Sequence, residues 1–191
     1  VQDLAKCYDA KDGSGYVEER IAVARETLSQ IDGSWPCYDC ISSELLHALI
    51  DKGDYQTTLD QVEECVNEEA RHDEPVGADI SLAKAYCLYE MGRYDEAAAQ
   101  LEKCLGENAG EGYQREKKLL SARIQIALGN WEQARAAGLD PEEILPTPSY
   151  YTAWTEIQHR FAEQGLIEND ERLHDRFHQM ASTLAGRDNF R

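Results

Sequence analysis

At 191 residues with ordinary apolar content, the chain is long enough to bury a full core as one domain. A formal charge of -18 argues against nucleic acid and anionic membrane surfaces as partners, since both demand a basic face. No run approaches a bilayer span, and the acidic balance instead suits solubility, a salty environment or a basic partner.

Scarce Pro and plentiful Ala, Leu, Glu and Gln favour helix throughout. No charged-then-apolar leader opens the chain. Six dispersed cysteines, Cys7, Cys37, Cys40, Cys65, Cys87 and Cys104, read as buried small hydrophobes in a reducing compartment, so a cytoplasmic location is expected.

Residues 1–31 read as a first helical hairpin, with Ile21, Val23, Ala24 and Leu28 on the inner side of its second helix. Ile31 to Pro36 is a turn. A second hairpin over 35–70 carries Ile41, Leu45, Leu46, Leu49 and Ile50, answered by Leu59, Val62, Cys65 and Val66. After the connection Ala70 to Gly77, a third hairpin over 78–105 places Ala85, Leu88, Tyr89 and Met91 on one stripe. Gly92 ends that helix because glycine takes φ > 0 without a Cβ clash. Tyr94, Ala97, Ala98, Leu101 and Leu105 mark the returning helix.

Three glycines in the seven residues Gly106 to Gly112 make the next connection the most flexible. A fourth hairpin covers 113–138, its second helix cut short by Gly138 and Pro141. Asp140 to Glu143 suits the start of a further short helix. Thr147 and Pro148 then cap and open a fifth hairpin over 148–185, with Tyr150, Tyr151, Trp154, Ile157 and Phe161 on its first helix. Its last helix, Asn169 to Leu184, places Leu173, Phe177, Met180 and Leu184 at core spacing and reads as a terminal cap with one wet face.

The turn glycines Gly15, Gly53, Gly92, Gly129 and Gly165 recur at steps of 38, 39, 37 and 36 residues. An aromatic stands two residues after three of them: Tyr55, Tyr94 and Trp131. Together with Gly92-Arg93-Tyr94-Asp95-Glu96-Ala97 and Gly129-Asn130-Trp131-Glu132-Gln133-Ala134, these features resemble tetratricopeptide repeats. The family's small residue seven before the turn is Ala85 or Ala122, but Leu46 in the second unit. Its Ala five after the turn is Ala97 or Ala134, but Thr58 in the second. The period exceeds the family's usual ~34 residues, which implies longer helices or loops.

The resemblance implies an all-α, right-handed α-α superhelix of about five helical hairpins, a single repeat domain over 1–191, binding peptides in a concave groove lined by first helices. By offset from each glycine, the groove positions are Ser43, His47, Ile50, Leu82, Tyr86, Tyr89, Leu119, Arg123, Ile126, Thr155, His159 and Ala162. The Lys and Asn pairs of members that clamp a C-terminal carboxylate are missing here. Tyr86 and Tyr89 bring large area at modest entropic cost, though packing on a neighbouring hairpin would explain them equally.

Candidate chemistry is thin. Cys37 and Cys40 form C-x-x-C before a helix, the setting in which backbone amides lower a thiol pKa, but no strand-helix-strand context surrounds them. Zinc there would need two further ligands such as His47 and Cys65, at a spacing that matches no standard pattern. His174 and His178 share a helix face at metalloprotease spacing, but Asp175 stands in place of the Glu and a third ligand is lacking. Asp12 to Val17 resembles the middle of a calcium loop, with Ala10 and Ile21 where carboxylates belong. No phosphate-cradling Gly loop with Lys and no nucleophile elbow occurs.

The expected function is therefore a non-enzymatic protein-protein interaction scaffold, with no cofactor and no metal, binding a protein or peptide of basic character. The alternatives are a metal- or redox-active protein using Cys37 and Cys40, or a module that associates with its own copies.

Overall fold

The structure is a computed structural model and describes residues 16–73, 75–104, 110–137 and 148–166, with Asp175, His178 and Ser182. The described residues form eight α-helices, with no strand among them. They are α1 Val17–Leu28, α2 Tyr38–Asp51, α3 Tyr55–Arg71, α4 Ala78–Glu90, α5 Tyr94–Lys103, α6 Glu111–Ala127, α7 Trp131–Ala136 and α8 Pro148–Glu163. The chain divides into two compact units, Val1–Asn108 and Ala109–Arg191, where the sequence suggests one repeat domain. The division falls inside the glycine-rich stretch Gly106 to Gly112.

In the first unit each helix packs on the next, and α2 also packs on α4. The middle helix α2 is apolar enough to serve two neighbours. Its Ile41, Leu45, Ala48 and Leu49 join Ile21 and Ala24 of α1, while Leu46 joins Val62 and Cys65 of α3 and Ile80 and Ala83 of α4. Arg20 of α1 is buried and makes an ion pair with Asp51 at the end of α2. Gln100 Nε2 of α5 donates to the Ser81 carbonyl of α4 at 3.4 Å.

The second unit has its own core. Leu119 and Ala122 of α6, Ala134 of α7, and Trp154, Ile157 and Phe161 of α8 form one cluster, with Trp131 and Leu166 packed against it. Helix α7 is only six residues long, in keeping with the breakers that follow it.

Four helices end in the same way. Gly53, Gly92, Gly129 and Gly165 have φ of 65–76°, the left-handed region that costs an L-residue but not glycine. Each glycine amide donates to the carbonyl three residues back, and the following amide to the carbonyl five before it, at 2.8–3.0 Å throughout. Such paired bonds satisfy carbonyls that a helix end otherwise leaves orphaned. The positions flanking these turns are also equivalent in burial. Leu46, Ala85 and Ala122 are fully buried seven before the glycine, and Thr58, Ala97 and Ala134 are buried five after it. Thr58 satisfies its hydroxyl by donating to the Asp54 carbonyl at 2.9 Å, which lets a polar side chain stand at an alanine position.

Two packing expectations need correction. Met91 is 38% exposed because it caps α4 rather than continuing the Ala85–Leu88 stripe. Cys37 and Cys40 are exposed, unlike the buried Cys65, Cys87 and Cys104, because they lie on the open side of the first turn of α2. Gly15, Cys7, the calcium-loop-like segment up to Gly15, the short helix suggested at Asp140 to Glu143, Leu105, His174 and most of the suggested last helix lie outside the described residues.

Candidate binding faces

The groove positions implied by the repeat phase fall in two groups. Six and three residues before each turn glycine, every side chain reaches the surface. His47 and His159 are exposed, Tyr86 and Arg123 half-buried, Ile50, Tyr89 and Ile126 half-buried, and Ala162 exposed. Ten before the glycine, the positions split. Ser43 and Thr155 are half-buried, whereas Leu82 and Leu119 are core residues at 6% and 7% exposure. Leu119 lies on the same stripe as Arg123 and Ile126 but packs into the α6–α8 cluster.

In the first unit the accessible face therefore consists of Ser43, His47 and Ile50 on α2 with Tyr86 and Tyr89 on α4. The Tyr89 ring lies against that of Tyr94, centroids 5.6 Å apart and planes at 49°, so the aromatic after Gly92 props the tyrosine from behind. In the second unit Arg123 of α6 pairs with Glu156 of α8 at 3.4 Å, and His159 pairs with Glu163 at 3.3 Å. The single Arg of the implied groove is thus held by a carboxylate of its own unit.

A second concavity was not foreseen. Helices α1 and α3 both rest on α2 and leave between them a cleft of about 810 Å³. Leu28 and Ile31 line its apolar side over Leu45, and Asp60, Glu64 and Glu68 line it from α3. Glu68 closes one end. Its carboxylate accepts from the Gly33 amide at 3.3 Å and from Arg71 at 2.6 Å, with the His72 ring at 3.2 Å. The Gly33 amide is foremost in holding the Glu68 carboxyl below its usual pKa. A Cβ at Gly33 would stand 3.0 Å from the His72 ring, so the loop approaches α3 closely because this residue has no side chain. The four-residue spacing of the three acids was the one sequence signal for this cleft.

Burial acts on three titratable side chains of the first unit. Burial pushes the Tyr38 hydroxyl and the Cys65 thiol up, and pushes Cys87 up to about 11, which keeps all three protonated at neutral pH. Among the described residues no group of three or more His, Cys, Asp or Glu is placed to hold a metal ion. His178 is exposed, while its proposed companion His174 lies outside the described residues. No helix of the described residues is long and apolar enough to cross a membrane.

No family model, curated protein or solved structure matches the chain.

Proposed function

We propose that the chain is a non-enzymatic protein-interaction scaffold of tetratricopeptide-type hairpins in a right-handed superhelix, and that it acts in the cytoplasm. A peptide segment of a partner lies along the faces of the first helices, with Tyr86 and Tyr89 as its main contacts. The observation that carries this reading is the repeated phase. Four turns close with the same pair of hydrogen bonds at steps of 39, 37 and 36 residues, and in each preceding helix the positions six and three before the glycine stay accessible. First helices also pack on first helices, α2 on α4 and α6 on α8, as a stacked array of hairpins requires. The net charge of -18 favours a basic partner and speeds its encounter in a salt-sensitive way.

The test is capture of partners from source lysate by the wild-type chain and by a Tyr86→Ala, Tyr89→Ala variant. The variant is expected to lose the captured protein while keeping its helical circular dichroism. Because Tyr89 packs on Tyr94, His47→Lys on the exposed face of α2, which repels a basic peptide, serves as a second variant with no core role. Undiminished capture by both would refute this use of the first helices.

A second reading rests on Cys37 and Cys40, which are exposed and free at the start of α2. Stoichiometric zinc in the native protein, or a disulfide between them that cycles readily, would favour a metal or redox role. Thiols that do neither would remove it.

A further inference from the structure

The cleft between α1 and α3 lies on the opposite side of α2 from the peptide face. Leu45, which floors it, is two residues from Ser43 and thus about 200° around the helix. Whatever occupies the cleft is therefore distinct from a ligand of Ser43, His47 and Ile50. We propose that it receives a basic amphipathic helix of a partner protein, docked along α3.

Length and backbone pairing favour a helix. The α3 lining runs from Thr57 to Arg71, 14 residues apart and hence ~21 Å, or about four helical turns. Along it Asp60, Glu64 and Glu68 offer one carboxylate per turn, the period at which an opposing helix presents its own side chains. An extended strand matches that interval nearly as well, with same-face side chains ~6.6–6.8 Å apart, but the helical walls of the cleft offer no sheet edge to pair its backbone amides and carbonyls, whereas a helix pairs its own.

Charge selects the occupant. Glu68 is already engaged by Arg71, and Asp60 accepts from Gln56 Nε2 at 2.9 Å. Glu64 has no partner among the described residues, and neither has the guanidinium of Arg25 on the α1 side. A fitting helix therefore carries Lys or Arg along one flank toward Asp60 and Glu64, apolar residues in the middle over Leu28 and Ile31, and a carboxylate toward Arg25. That asymmetry fixes one orientation. A second copy of the chain is a poorer occupant, since two bodies of charge -18 repel.

The probe is a synthetic peptide of about 16 residues with that pattern, labelled for fluorescence anisotropy, and a version broken by a central proline. Binding to the full chain with a gain of peptide helicity is expected, with the proline version failing to bind. Asp60→Lys with Glu64→Lys is expected to weaken binding about tenfold or more. Asp95→Lys with Glu102→Lys on α5, an equal change of net charge, is expected to change it less than about threefold. His47→Lys and the double tyrosine variant should bind the probe normally, so loss of the peptide face leaves this result intact. Equal weakening by both charge-reversed pairs would mean attraction to the overall charge and overturn the site. Equal binding of the proline peptide would overturn the helical occupant. A dimer in light scattering that Glu64→Lys dissolves would assign the cleft to a second copy and overturn the partner.

Discussion

Gly92→Ala is expected to destabilise the first unit by about 1–2 kcal/mol, the cost of placing an L-residue in left-handed backbone. The structure isolates that cost. Gly92 has φ of 74°, and a Cβ built there meets nothing within 4 Å, so no steric clash adds to the strain. Alanine also reduces the freedom of the unfolded chain, but at positive φ the native-state strain outweighs this gain. With a urea dependence of about 1–3 kcal/mol per molar, the unfolding midpoint should fall by about 0.3–2 M. The assay is urea unfolding followed by far-ultraviolet circular dichroism. Gly92→Asn should lose less, since asparagine tolerates this conformation. Gly53→Ala and Gly129→Ala should cost about the same as Gly92→Ala, because both glycines have φ of 76° and equally open surroundings. An unmoved or raised midpoint for Gly92→Ala, or an asparagine as harmful as alanine, would refute the shared turn geometry.

Leu45→Ala removes a fully buried side chain from the α1–α2 core and should cost about 2–5 kcal/mol in the same unfolding assay. Because the folded pKa of Glu68 lies below its unfolded value near 4.5, its contribution is present above that pH and lost as pH falls through the folded value. Glu68→Gln should therefore flatten the acid side of the stability profile below about pH 4.5 and be measurable by thermal melts across that range. Of the five described thiols, Cys37 and Cys40 should react with a thiol reagent in the native protein, while Cys65, Cys87 and Cys104 wait for unfolding, as peptide mapping would reveal.

The hairpins were legible because a glycine at a helix end leaves a local mark. Only such a residue closes the turn cheaply, so Gly53, Gly92, Gly129 and Gly165 announced both the breaks and the phase. Most of the inner stripes followed from spacing, Met91 excepted, and even Thr58 kept its place by bonding its hydroxyl to the backbone. Legibility failed where burial depends on what faces a helix. The offset rule treats all first helices alike, yet Leu82 and Leu119 turn inward where Ser43 and Thr155 do not, since a long apolar side chain reaches the neighbouring core. Cys37 and Cys40 stand outside because α2 buries its opposite residues first. The α1–α3 cleft depends on two helices resting on a third, so the four-residue spacing of Asp60, Glu64 and Glu68 marks an acidic stripe on α3 but not the gap beside it.

Nuclear magnetic resonance titration of the labelled chain tests the scaffold reading most directly, using a peptide selected from a random display library on the immobilised protein. Amide shifts should cluster at His47, Ile50, Tyr86 and Tyr89 on the first helices. Shifts confined to other surfaces, or a chain for which no peptide can be selected, would contradict it.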